Sequence, residues 1–300
     1  MTGIINVLKP PMMTSNGVVG AVKKLLKEQH VGHTGTLDPN AAGVLPVCIG
    51  KATKVAEFLL ADEKEYVGEM LFGMETDTCD TEGSVLYSSA KRPTEAEVLN
   101  ALEGFRGEIR QIPPMYSSIK IDGKRAYEIA RQGKSVEIMP RQVEIKDIQL
   151  VSFEPDRARI WVRCSKGTYI RSLVRDLGRI LGCYAVLSLL IRTRSGMFVL
   201  DEAHTLEEVE QAQKNNELSS VMICVNDAMK HFTAVDFDER LRGRLACGNA
   251  LTVDSLMQNQ HLTEGQKVRV LCSGELIGLG EIKRGERGLL IVQPTKVLIE

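Results

Sequence analysis

The segment Gly32-His33-Thr34-Gly35-Thr36-Leu37-Asp38-Pro39, with Gly43-Val44-Leu45-Pro46 just beyond it, decides how the rest of the chain is read. Four glycines and two prolines fall between Gly32 and Gly50, too many breakers for a regular element, so the stretch is predicted to be an ordered loop. Glycine lets a main chain take positive φ or approach a ligand closely. His33 and Asp38 have the chemistry of an acid, base or nucleophile. Equally, an Asp before Pro is a common turn residue, and a loop His often bonds its own backbone. A phosphate loop is excluded, because Gly50-Lys51-Ala52-Thr53 lacks the upstream glycine of G-x-x-x-x-G-K-[ST] and Ala52 stands where the metal-binding hydroxyl belongs.

Outward from the loop, Ile4 to Leu8 reads as a strand broken by Lys9-Pro10-Pro11, and Ser15 or Asn16 caps a helix carrying Val18, Val22, Leu25 and Leu26. Lys54 to Leu60 reads as helix and Glu65 to Phe72 as strand, while Thr94-x-x-Glu97 is a capping box for a helix stopping near Gly104. Val143 to Phe153 and Arg159 to Cys164 form a hairpin about Glu154-Pro155-Asp156. Ile170, Leu173, Val174, Leu177, Ile180 and Leu181 make a helical stripe ended by Gly182, with Arg171, Arg175 and Arg179 in a column on the other side. Asp201 to Gln213 is acidic and helical in pattern. From about Phe232 short β-prone runs separated by glycines predict a compact all-β module of about 70 residues.

The 300 residues carry a formal charge of −1 and a pI near 6.6, which excludes a strongly basic tail. Counted by segment, Arg157 to Arg194 holds nine basic residues and one acid (+8), and Arg106 to Lys134 seven and three (+4), so a polyanion partner is expected. No apolar run of about 18 residues appears, and MTGIINVLKPP reaches charge and proline too early for a signal peptide, so the chain is expected in the cytoplasm. Seven cysteines without a C-x-x-C argue against a zinc site and suit reduced, mostly buried thiols.

The loop segment resembles the catalytic-loop motif of the TruB family of tRNA pseudouridine-55 synthases. The resemblance runs along nearly the whole chain: Lys9-Pro10, QIPPMYSSIKIDGKRAYEIARQG from Gln111 to Gly133, Lys166-Gly167-Thr168-Tyr169-Ile170-Arg171, and Leu190-Ile191-Arg192-Thr193. It implies an α+β fold with a central, mostly antiparallel mixed sheet. An inserted thumb is expected at about 115–141 within a catalytic domain of residues 1–230, followed by a PUA module at 231–300. It implies that uridine 55 in the T-loop of tRNA is isomerised to pseudouridine without metal or cofactor. The expected partner is tRNA at its T-loop and stem, with no membrane, no obligate protein partner and a monomeric chain.

By the same resemblance Asp38 is the essential carboxylate, Tyr66 stacks on the target base and transfers a proton, and Arg171 pairs with Asp38. His33 props the opened RNA loop, Tyr169 and Leu190 line the pocket, and Lys9 joins them in binding substrate. Lys120, Lys124, Arg125 and Arg131, interleaved with Tyr116 and Tyr127, are expected on RNA together with Arg175. The target base lies inside a folded loop and must be flipped out to react. Two positions depart from the family pattern: Met12 and Tyr184 stand where it commonly has Gly, which bears on turn geometry. Rival readings are a guide-RNA-dependent relative, a non-catalytic tRNA chaperone, and a thiol enzyme using Cys48 or Cys183.

Overall fold

The computed structural model describes residues 1–60, 63–117, 119–121, 123–132, 136–253, 262–285 and 288–299. In chain order its elements begin with β1 (Gly3–Lys9), α1 (Ser15–Leu26), β2 (Val31–His33), β3 (Ala42–Ile49), α2 (Ala56–Leu60) and β4 (Lys64–Phe72). A small hairpin, β5 (Met74–Thr76) and β6 (Val85–Ser88), precedes α3 (Glu95–Glu103) and β7 (Gly107–Gln111). The two-residue strands β8 (Lys120–Ile121) and β9 (Lys124–Arg125) and helix α4 (Ala126–Arg131) follow. Then come β10 (Arg141–Glu154), β11 (Arg157–Cys164), α5 (Ile170–Ile180), β12 (Ala185–Ser195), β13 (Phe198–Val199), α6 (Leu206–Lys214) and β14 (Met222–Ile223).

These strands make one large mixed sheet in the order β14-β1-β3-β12-β4-β11-β10-β7, with β2 on β3 and β13 on β12. Its pairs are antiparallel except β3 with β12, which run parallel at Ala42 opposite Ile191 and Gly43 opposite Arg192. Helices α3 and α5 bury Val98, Leu102, Leu173, Val174 and Leu177 against Met70, Ile145, Ile160 and Val162 of one sheet face. Burying side chains of this size stabilises by about 1.5–3 kcal/mol each.

Local signals place several elements as expected. Thr94 and Glu97 close both halves of the capping box that starts α3, and β10 and β11 pair from Ile145–Cys164 to Glu154–Arg157 about the expected turn. Four readings need correction. The glycine-rich stretch contains two strands, because β3 is recruited into the sheet by β1 over seven residue pairs, a long-range term that outweighs local breakers. Helix α1 is capped by Thr14, whose hydroxyl accepts from the Gly17 N–H at 2.9 Å, and not by Ser15 or Asn16. Helix α6 starts only at Leu206, behind its own capping box at Thr205 and Glu208. Ile180 is exposed at the end of α5, while Arg171 and Arg175 on the supposed polar side are buried. Met12 and Tyr184 take φ of 65° and 57°, so the two departures fall at left-handed positions that glycine would occupy more easily. Tyr184 stacks on Tyr87 with ring centroids 5.3 Å apart.

A second sheet follows, with β15 (Thr233–Phe237), β16 (Leu251–Thr252), β17 (Lys267–Cys272), β18 (Glu275–Arg284) and β19 (Leu290–Val297) in the order β15-β17-β18-β19-β16. It docks on α2. Phe58 meets Phe232 edge to face at 5.9 Å, Lys267 Nζ lies 4.6 Å over the Phe58 ring, Glu57 pairs with Lys296 at 2.8 Å, and Lys54 Nζ donates to the Val297 carbonyl at 2.9 Å. No helix of the described residues is long and apolar enough to cross a membrane.

Candidate active site

Asp38, Tyr66, His33, Tyr169, Leu190 and Arg171 converge on one cleft of about 1110 Å³. Its floor is the sheet: Tyr66 on β4 lies opposite Arg192 on β12, both on the face that carries α5. Arg171 enters from the first turn of α5 and is 5% exposed. Its Nη2 donates to Asp38 Oδ1 at 3.0 Å, and its Nε lies 2.8 Å from Oδ2 without the alignment of a hydrogen bond, a two-point ion pair. The rest of the guanidinium is spent on the carbonyls of Thr78 (3.0 Å) and Tyr116 (2.9 Å) and, at 3.5 Å, on Asp80 Oδ2.

The Asp38 loop is fastened from both sides. Ser15 Oγ donates to the Leu37 carbonyl at 3.0 Å and accepts the Leu37 N–H at 2.9 Å. Lys9 Nζ donates to the carbonyls of Pro10 (3.0 Å), Pro39 (2.9 Å) and Ala41 (2.5 Å). Burial pushes the Asp38 carboxyl above its usual value; Arg171 and Lys9 oppose the rise and Asp80 adds to it. The Arg171 guanidinium favours the ionised carboxylate, and desolvation by the cleft walls outweighs it. Burial likewise raises the Tyr66 phenol, with Arg192 opposing, so the neutral hydroxyl is its resting form. His33 lines the cleft while its Nδ1 accepts the Gly35 N–H at 3.3 Å; burial and then Arg192 lower its pKa, so the ring is neutral.

Helix α5 is strapped to the segment after β7. Gln111 Oε1 accepts the Tyr169 N–H at 2.7 Å, Ser172 Oγ donates to the Ile112 carbonyl at 2.8 Å, and Arg175 Nη2 donates to the same carbonyl at 3.1 Å. Arg175 is therefore corrected from an RNA contact to a buried strut, with Nε also 2.8 Å from Asp176. Lys9 is corrected too, because it is fully buried behind the loop, with three carbonyls for its three N–H groups, and does not line the cleft. Lys124 on β9 is exposed and Tyr127 reaches the cleft. The side chains of Lys120, Arg125 and Arg131, and residues Gly133 and Lys134 altogether, fall outside the described residues.

The charge count reads differently in three dimensions. Of the nine basic residues from Arg157 to Arg194, Arg157 and Arg159 pair with Glu69, Arg179 with Glu75 and Arg194 with Glu65. Arg171 and Arg175 are engaged as above and Arg192 is buried, which leaves Arg163, half-buried on β11 away from the cleft lining, and Lys166, exposed at the cleft. Sequence reading gave no role to Asp80 or Arg192, since only the fold brings them to Asp38. Cys48, Cys79, Cys164, Cys183 and Cys272 are buried, and burial pushes the thiols of Cys48 and Cys164 up to about 12, so Cys48 is no nucleophile. Cys183 is raised in the same way.

One pH effect follows from Lys9. Burial lowers its pKa from 10.5 to about 8, with Arg192 adding to the fall and Asp38 opposing it. Above pH 8 a neutral amine has one donor fewer for three carbonyls and no charge facing Asp38. Activity is expected to fall through about pH 8. Between pH 8 and 10.5 the unfolded chain still holds the proton that the folded chain has released, so on this account thermal stability rises over the same window. Rate and melting profiles recorded together check the two opposite trends, and Lys9→Met should remove the alkaline limb of both.

Comparison with known proteins points to one family. The TruB family pseudouridylate synthase N-terminal domain matches residues 23–170, and the tRNA pseudouridylate synthase B C-terminal domain matches residues 171–230. The border between the two matches falls inside α5. Proteins named tRNA pseudouridine synthase B from Alkaliphilus oremlandii and Clostridioides difficile are 42% and 40% identical over 300 and 287 residues. The alignments cover 100% and 95% of this chain and 99% and 95% of those proteins. Among solved structures, an H/ACA RNP bound to a substrate RNA containing 2'-deoxyuridine superposes with a TM-score of 0.76 at 26% identity, covering 99% of this chain and 85% of that one. An archaeal box H/ACA Nop10-Cbf5 complex gives 0.75 at 25%, covering 99% and 86%. Two matching domain families and relatives alike from end to end leave one assignment: the chain belongs to the TruB family of pseudouridylate synthases.

Proposed function

We propose that this chain isomerises uridine 55 in the T-loop of tRNA to pseudouridine, acting in the cytoplasm as a monomer without a guide RNA. The observation that carries the reading is the two-point Asp38–Arg171 pair on the cleft floor beside Tyr66. The reaction breaks the C1′–N1 bond, turns the uracil in place and joins C1′ to C5. Asp38 is the carboxylate that acts on the nucleotide, aimed by Arg171, whose charge favours the ionised form against the desolvation of the cleft. Tyr66 packs against the flipped base and relays the proton that leaves C5. Tyr169 and Leu190 wall the base in, and His33, neutral and at the cleft rim, fills the gap left in the RNA stack.

The grip on RNA comes from the thumb at about 115–141, through Lys124 and Tyr127, from Lys166, and from the β-rich module at 231–300, which we read as PUA-like. Near end-to-end likeness to proteins named tRNA pseudouridine synthase B, at 40–42% identity, favours tRNA over a guided substrate. The test is a T-arm transcript incubated with the chain alone, with modified positions mapped by carbodiimide and reverse transcription. Pseudouridine at position 55 is expected; conversion only when a guide RNA is added, or at another uridine, defeats the proposal.

A further inference from the structure

Arg192 lies at the cleft floor and has no part in the roles given above. Its side chain is among the largest in the protein that are fully buried, at 1% exposed. Nε donates to the Val44 carbonyl at 2.7 Å and Nη2 to the Gly35 carbonyl at 3.3 Å, while Tyr66 stands opposite it on β4. None of these partners is charged. No carboxylate of the described residues forms an ion pair with Arg192, in contrast to Arg157, Arg159, Arg171, Arg175, Arg179 and Arg194 around it.

A buried charge without a counter-ion is costly, and a guanidinium has no neutral form to retreat to. Such a group persists where the rest of the fold holds it and where an anion arrives with the ligand. A bound nucleotide offers two anionic parts. Its phosphate is tied to the RNA chain and stays at the cleft mouth, where Lys166 is exposed. Its base goes to the floor. When C1′–N1 breaks, the electron pair passes to N1 and spreads over O2 and O4. The same anion attacks C1′ through C5, after which C5 loses its proton and N1 gains one; nothing is oxidised or reduced.

We propose that Arg192 is a further catalytic residue, which donates hydrogen bonds to the uracil while it carries the negative charge of the cleaved glycosidic bond. The proposal rests on the reading of the cleft given under Proposed function. Such a donor acts mainly on the transition state, in a site from which water is excluded.

The test compares Arg192→Gln and Arg192→Lys with the unaltered chain in single-turnover rate on a T-arm transcript, tRNA dissociation constant and melting temperature. Expected for Arg192→Gln is a rate lower by about 10²–10³-fold, the loss typical of one oxyanion donor. Its dissociation constant stays within about threefold, and its melting temperature is unchanged or higher, since an unpaired buried charge has gone. Arg192→Lys keeps the charge and retains part of the rate. A rate within about threefold of normal overturns the proposal. So does weaker binding with the rate intact, which places the charge on phosphate, and so does a collapse of melting temperature in both variants, which makes Arg192 a structural strut. Asp38→Asn measured alongside separates the two readings: if it stays active the reading of the cleft fails, whatever Arg192 shows.

Discussion

Asp38→Asn is expected to bind tRNA as the unaltered chain does and to form no detectable pseudouridine, a loss of about 10⁴-fold or more, as for an essential reacting group. The amide keeps the shape of the carboxylate and can still accept one hydrogen bond from Arg171, so the loop held by Ser15 and Lys9 stays in place. What it lacks is the charge that attacks carbon or takes a proton. Removing one partner of a buried ion pair usually costs about 3–5 kcal/mol. Here the cost should be smaller, because the Asp38 side chain is 39% exposed to the cleft and Asp80 remains beside the guanidinium. Gel-shift affinity together with tritium release from labelled uridine checks both halves. Turnover at the normal rate would remove Asp38 from the chemistry.

The largest effect on stability is expected at Gly43. Its φ is 108°, and a Cβ there would overlap the carbonyl oxygen of Arg192 and stand 2.8 Å from its nitrogen, because β3 and β12 run side by side at this point. Gly43→Ala combines a forbidden backbone angle with backbone overlap, about 4 kcal/mol together. That is a large part of the 5–15 kcal/mol by which a protein is usually stable, and at about 2–4 °C per kcal/mol the melting temperature should drop by about 10 °C. Gly20, in the middle of α1 with open space around it, is the control: Ala there should be neutral or stabilising by about 1 kcal/mol. A Gly43→Ala protein that melts within 2 °C of the unaltered chain would mean that the two strands separate freely.

The same position shows where sequence reading stops. The capping box at Thr94 and Glu97, the β10–β11 turn and the stripe of α5 are local, and each is legible from residues within a few positions of one another. Strand β3 was hidden because Gly43 and Pro46 argue for a loop, while the partners that make it a strand sit on β1, dozens of residues away. Family resemblance named Asp38, Tyr66 and Arg171, and the three line one cleft. It said nothing of burial, which turns Lys9 and Arg175 from expected ligands of RNA into supports for the backbone. Charge was the least legible property. A run of nine cations reads as a basic face until Glu65, Glu69, Glu75, Asp38 and Asp176 meet it from other elements.

Arg171 owes its place to the carbonyls of Thr78 and Tyr116 as well as to Asp38. Lys9, Ser172 and Arg175 likewise hold their neighbours by main-chain oxygens. A carbonyl is offered by all twenty amino acids. The side chains at positions 39, 112 and 116 can thus drift over generations without unfastening the residues that grip their carbonyls, provided the chain keeps its path. Mutational tolerance around this cleft should follow the course of the backbone and not distance from Asp38.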